Sequence, residues 1–204
     1  MKAALRSSIL VVIAALVASC APSGPQKSDY LLGYTRNNGP TGKGEHHSAP
    51  AIPDDISYWD GEGTTGAPLI RINRAEQKAY FYKGGQLVAV SKISSGNEDH
   101  GTPPGRYKIT QKDKDHKSST YGAIKDRATG QMVNDNADIR TPVLPGQIYY
   151  PAPMPYFMRF SDGIGMHTGF LPGYAASHGC IRMPDHMARH FFENVELGTP
   201  VIVQ

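Results

Sequence analysis

A mainly β domain with one or two short helices is the fold class predicted for residues 67–204, and three observations predict it. Short runs of β-branched and aromatic residues alternate with polar ones, Gly- and Pro-bearing turns separate those runs, and apolar residues fall at helical spacing only after residue 184. Alternation with period two marks a half-buried strand, and closely spaced turn signals favour antiparallel pairing. The length suits one domain with its own core.

The elements follow in order. Leu69-Ile70-Arg71-Ile72-Asn73 alternates, and Ala79-Tyr80-Phe81-Tyr82 and Leu87-Val88-Ala89-Val90 follow, joined by Lys83-Gly84-Gly85-Gln86. A Gly-Gly pair between two β-prone runs predicts a hairpin. Thr102-Pro103-Pro104-Gly105 predicts a turn, after which Arg106-Tyr107-Lys108-Ile109-Thr110 returns to alternation. Residues 111–140 are polar, with a short strand around Tyr121-Gly122-Ala123-Ile124, and read as a lid over a binding site or as a solvated excursion. Five prolines between Pro142 and Pro155 predict an edge or loop. Tyr156 to Phe160 and Gly163 to His167 are strand candidates, which puts His167 at a strand end. Pro184-Asp185 opens a helix with Met187, His190, Phe191 and Val195 on one side, Gly198 closes it, and Val201-Ile202-Val203 is a last strand. His186 and His190, four apart, read as surface and half-buried helix residues; without a third ligand no metal site is expected, and no cofactor.

Upstream of this domain lie a leader and a tether. Lys2 and Arg6 precede an apolar run from Ile9 to Val17, too short to span a bilayer, and Val17-Ala18-Ser19-Cys20 ends it, so residues 1–19 read as an export signal. The cleavage region resembles a bacterial lipoprotein box in which Cys20 carries the lipid, and Ala21 at the next position resembles the outer-membrane-directed pattern. The expected location is therefore the periplasm, with the protein lipid-anchored to a membrane. Residues 20–66, rich in Pro, Gly, Ser and charge, read as a flexible tether in which His46-His47 are solvated, with Ile52, Ile56, Tyr58 and Trp59 available to anchor it on the domain. The formal charge is +3, and two of the positive charges belong to the leader, so the remainder is nearly neutral and nucleic acid is not an expected partner.

Cysteine use points to chemistry. The chain has two cysteines, and with Cys20 taken by lipid Cys180 has no disulfide partner. A lone thiol in an oxidising compartment is exposed to damage unless it is buried or used. Cys180 follows His178-Gly179 and lies thirteen positions after His167. A thiol attacks carbonyl carbon when an imidazole takes its proton, and amides near a glycine can receive the oxyanion. A small buried hydrophobe is the competing reading of such a cysteine.

Met166-His167-Thr168-Gly169 with Ser177-His178-Gly179-Cys180-Ile181-Arg182 resembles the signature of the L,D-transpeptidase catalytic domain, also called the YkuD-type domain. The resemblance covers most of residues 68–204, including Thr102 to Gly105, Met154-Pro155-Tyr156-Phe157 and Gly198-Thr199-Pro200-Val201. It implies a β-sandwich or barrel-like domain that cuts peptidoglycan stem tetrapeptides before the terminal D-alanine and transfers the acyl group to an amine. By motif, Cys180 is the nucleophile, His167 the base and the Thr168 carbonyl its orienting partner. His178 shapes the site, and amides near Gly179 and Cys180 form the oxyanion hole. The same resemblance puts Arg182, Ser177 and Tyr156 on the substrate side and makes carbapenem-type β-lactams inhibitors. Two departures bear on the acceptor: only nine residues separate His167 from Ser177, and Thr168-Gly169 replaces the more frequent Gly-Thr order. A carboxypeptidase acting on the same peptides and a non-catalytic wall-binding lipoprotein are the alternative readings.

Overall fold

The computed structural model describes residues 54–204. The leader, Cys20, His46-His47 and the tether through residue 53, Ile52 included, lie outside the described residues. The described elements are β1 (Tyr58–Trp59), β2 (Pro68–Asn73), β3 (Lys78–Lys83), β4 (Gln86–Lys92), β5 (Gly105–Lys108), β6 (Gln111–Asp113), β7 (Lys117–Asp126), β8 (Met132–Asp138), β9 (Gln147–Pro153), β10 (Phe157–Ser161), β11 (Ile164–Thr168), β12 (Ile181–Met183), α1 (Asp185–Asn194) and β13 (Pro200–Val203).

Three sheets result, as a mainly β fold requires. A six-stranded sheet runs β1-β4-β3-β2-β13-β5, a four-stranded sheet runs β12-β11-β10-β6, and a three-stranded sheet runs β8-β7-β9. The predicted Gly84-Gly85 hairpin joins β3 to β4, with both glycines at positive φ, which side chains resist. Period-two alternation puts Ile70, Ile72, Ala79 and Phe81 inside, where they meet Met158, Met166, Ile181 and Met183 from the four-stranded sheet. Helix α1 begins at the residue after Pro184, as predicted, and buries Met187, Ala188 and Phe191 in the same core. His186 is exposed and His190 half-buried.

The polar stretch is more ordered than its composition suggests. Residues 111–140 form β6, β7 and β8 rather than a loop with one short strand, and the proline-rich segment supplies β9 as the edge of their sheet. Hydrogen-bonded pairing explains the order, because few apolar side chains are available: Ala123 and Ala152 make a buried cluster against the partly buried Met132.

Part of the segment read as tether also joins the domain. Tyr58 and Trp59 pair with Val90 and Ala89 as an edge strand, and the Asp60 amide donates to the Val88 carbonyl at 2.8 Å. Of the expected anchors, Ile56 and Tyr58 are exposed, while Trp59 lies flat on His190 at 4.9 Å and edge-on to Phe81 at 5.3 Å. Aromatic contacts of this kind add to simple area burial. Trp59→Ala is expected to lower unfolding stability by roughly 2 kcal/mol, less than for a fully buried tryptophan, as a shifted urea midpoint with unchanged slope would show.

Candidate active site

Strand parity builds the site. In the four-stranded sheet, Met158 and Phe160 of β10, Met166 of β11, and Ile181 and Met183 of β12 all point into the core. The intervening residues point to the opposite face, which therefore carries Phe157, Arg159, Gly165, His167 and Arg182. β11 and β12 are parallel, with Met166 opposite Ile181 and His167 opposite Arg182. One step back along both strands, Gly165 stands beside Cys180, and a backbone hydrogen bond from Gly165 favours the thiolate. His167 is two residues further along β11 on the same face, and Phe157 packs on Cys180 with its ring 6.2 Å from the His167 ring. A Cβ at Gly165 would sit 2.6 Å from the Phe157 ring, so the glycine makes room for that contact.

His167 is 4% exposed, and its Nδ1 lies 2.8 Å from the Thr168 carbonyl oxygen. A carbonyl only accepts, so Nδ1 carries the proton and Nε2 holds the lone pair. Nε2 is buried without a hydrogen-bond partner in the structure. Burial pushes the imidazole pKa down to about 4, the Thr168 carbonyl works against that fall, and the nearby charges of Arg182 and His116 add to it. Burial likewise raises the Cys180 thiol, while the Gly165 hydrogen bond, Arg182 and Arg159 favour the thiolate. The resting pair is therefore a neutral thiol and a neutral base. Thr168 also anchors the strand end through Oγ1, which donates to Asp185 at the start of α1 at 3.1 Å.

The turn bearing Cys180 is braced from within. Gly179 has φ of 111°, a backbone region that L side chains resist, and its carbonyl accepts from Thr102 Oγ1 at 2.7 Å. The Gly179 amide donates to Ser177 Oγ at 3.1 Å, and Ser177 Oγ donates to the Cys180 carbonyl. This corrects two sequence expectations. Ser177, 1% exposed, shapes the turn instead of facing the cleft, and the Gly179 amide is already committed to Ser177 Oγ. Ser94 pairs with Arg182 in both backbone directions, and Asn97 donates its amide to the Ser177 carbonyl at 3.0 Å, so the segment after β4 supports the turn.

Two further expectations change. Arg182 is 2% exposed, off the cleft wall, and donates from Nη2 to the Ala176 carbonyl at 3.1 Å. Its stem passes so close to Gly169 that a Cβ there would lie 2.8 Å from Arg182 Cγ, which accounts for the Thr-Gly order. Tyr156, with φ of 57°, is half-buried edge-on against Phe192 of α1 at 5.7 Å and is not among the cleft-lining residues.

A cleft opens over Cys180. Its walls are His116, Ser118 to Tyr121, Met154, Phe157, Arg159, Gly163 and His178. Segment 116–121, part of the polar 111–140 stretch, thus lines the cleft and forms its roof. Tyr121 stacks on His178 at 4.4 Å, and His100 meets the same imidazole edge-on at 4.9 Å. Burial lowers the His178 pKa, helped by His100 and Arg182. His116 stacks on Phe157 at 4.1 Å and faces Asp113 at 3.1 Å. The sequence reading overlooked His100, His116, Tyr121 and Arg159; the only signal for Arg159 was its place one residue beyond buried Met158 in an alternating strand.

The profile of the YkuD L,D-transpeptidase catalytic domain matches residues 67–203. No curated protein sequence matches the chain. Among solved structures, an L,D-transpeptidase from Xylanimonas cellulosilytica is 19% identical with a TM-score of 0.51, covering 70% of this chain and 62% of that one. One from Mycobacterium smegmatis is 20% identical with a TM-score of 0.50, covering 68% and 59%. At these identities the likeness shows the fold, and the match spans about three fifths of either relative's length. The profile match covers most of the chain, and the chain belongs to the L,D-transpeptidase catalytic domain family.

Proposed function

We propose that the domain is a cysteine-dependent L,D-transpeptidase acting on peptidoglycan stem tetrapeptides. The observation that carries this reading is the Cys180 thiol on a cleft floor, sharing a sheet face with an imidazole whose Nδ1 is fixed by the Thr168 carbonyl and whose Nε2 is otherwise unused. His167 Nε2 takes the thiol proton as sulfur attacks the carbonyl of the third, diamino-acid residue. The Cys180 amide receives the oxyanion, and the proton passes to the leaving amine of D-alanine. A thioester remains, and an acceptor amine resolves it, returning its proton through His167. Water in place of the amine gives carboxypeptidase activity. The covered cleft favours transfer, because the segment from His116 to Tyr121 limits access of water to the thioester. A lipid on Cys20 would hold the domain at a membrane surface in the periplasm, the outer membrane by its Ala21 signal, with the segment after Cys20 providing reach to the wall.

Incubation of the purified protein with tetrapeptide muropeptides is expected to yield cross-linked dimers. Tripeptide alone would indicate hydrolysis, and intact tetrapeptide would reject the reading. Cys180→Ala should remove D-alanine release by a factor of ~10³ or more, and His167→Gln by ~10²–10⁴, read by chromatography of the products.

Burial of His167 sets the acid limb. kcat/KM should stay level down to about pH 5 and fall as pH drops through about 4, where the imidazole gains its proton. Stability has the same sign. The folded pKa lies below the unfolded value, so the unfolded chain binds more protons between them. The contribution is complete above about pH 6.5 and is lost as pH falls toward 4, roughly 3 kcal/mol in all. Denaturant titration of wild type against His167→Gln across that window should show the extra loss in wild type alone.

A carbapenem presents a strained amide carbonyl to the same thiol. Incubation should add one drug mass to the wild-type chain and none to Cys180→Ser by intact-mass measurement. No adduct on the wild type would argue against an accessible, activated Cys180.

A further inference from the structure

The cleft that holds Cys180 contains one permanently charged side chain. Arg159 is half-buried on its wall, and no carboxylate lies among the lining residues. The side chains facing Arg159 are Gln111 of β6, directly opposite in the strand register, and Phe157, its neighbour on the same face of β10. Arg159 donates from Nε to Gln111 Oε1 at 2.8 Å, and its guanidinium carbon lies 5.1 Å from the Phe157 ring centre. These contacts occupy Nε and one face of the plane and leave the Nη edge uncommitted. A guanidinium held in one plane with that edge open suits a carboxylate, which it can meet with two parallel hydrogen bonds. Arg182, the arginine suggested by sequence, is buried on the Ala176 carbonyl and does not line the cleft.

The register also says which carboxylate is in reach. Arg159 stands opposite Gly165 on β11, and Gly165 stands beside Cys180 on the next strand, so the three form one row across the sheet. Adjacent strands are about 4.8 Å apart, which puts the two outer backbones about 10 Å from each other. In an acyl donor held with its scissile carbonyl at Cys180, the carboxylate carbon of the terminal residue lies about 4 Å further on by standard bond lengths. Arg159 and Cys180 line the same cleft, so the guanidinium borders the space that this carboxylate would enter. Its charge already extends to the sulfur, where it favours the thiolate.

We infer that Arg159, oriented by Gln111 and Phe157, binds the terminal carboxylate of the acyl-donor peptide and selects donors that end in a free acid one residue beyond the scissile bond. This rests on the L,D-transpeptidase reading above. The role is specificity: with a neutral side chain at 159, an amidated and a free-acid donor become equivalent.

The test is a binding cycle that needs no turnover. In the full chain carrying Cys180→Ala, calorimetry measures affinity for a stem tetrapeptide and for the same peptide with its terminal carboxylate converted to an amide. A second pair of measurements adds Arg159→Met. Amidation alone and Arg159→Met alone should each weaken binding about 10- to 100-fold, as for loss of a charge-assisted pair, and the two together should weaken it no further. Arg159→Lys should recover part of the preference for the free acid, since lysine supplies charge without the paired geometry. Equal affinity for acid and amide in the Arg159 protein overturns the inference without relying on any folded variant. Multiplying losses in the doubly altered case also overturn it, because the two groups would then act apart. Failure of the wider reading shows separately, as a wild-type chain that binds with this preference and releases no D-alanine.

Discussion

The site depends on the parity of one sheet. Because successive residues of β10, β11 and β12 face opposite ways, the strands that give Met158, Phe160, Met166, Ile181 and Met183 to the core present Phe157, Arg159, His167 and Arg182 on the other side. A slip of one residue would exchange the two sets, burying a guanidinium and an imidazole among methionines while exposing the methionines. Such a slip costs many apolar contacts at once. The hydrophobic core therefore does more than stabilise the domain. It holds His167 and Cys180 in register, and the parallel β11–β12 pairing converts that register into closeness.

The second requirement is a rigid turn at Cys180. Thr102, Ser94, Ser95 and Asn97 reach the Ser177–Arg182 segment from the connection between β4 and β5, and each satisfies a backbone group that the turn would otherwise leave unpaired in the interior. Buried hydroxyls are worth little as hydrophobic contacts, and their value here is geometric. They hold Gly179 in a conformation that directs the Cys180 side chain and amide toward the cleft. Arg182 belongs to the same bracing. It spans to Ala176, and its charge lowers the cost of a thiolate while raising the cost of an imidazolium.

Much of the fold was legible where one face of a strand is apolar and the other is not. The alternation of Leu69 to Asn73, the Gly84-Gly85 turn and the helix from Pro184 all lie where local pattern and tertiary burial agree. The grouping of Cys180, His167 and the Thr168 carbonyl was legible because one short motif holds them. β7 was legible only around Tyr121 to Ile124; its flanks and β8 were not, since they are largely polar and hydrogen bonding to neighbours, absent from a sequence, decides their conformation. The resemblance put Ser177, Arg182 and Tyr156 on the substrate side, whereas packing against other parts of the fold determines what each can touch. Arg159 and Tyr121 were missed for the converse reason: they come close to Cys180 only through strand pairing and the roof.

The roof sheet β8-β7-β9 has a small apolar centre, built on Ala123 and Ala152 with Met132 alongside, and leaves Val133 and Tyr150 exposed. The sheet pair behind the nucleophile buries a far larger set of side chains. Opening free energy follows buried apolar contact, so the roof is the less cohesive unit. Lifting it breaks aromatic contacts such as Tyr121 on His178 while leaving the methionine layer intact. The contacts that tie this sheet to the cleft can thus part while His167 and Cys180 stay on a foundation that does not have to move.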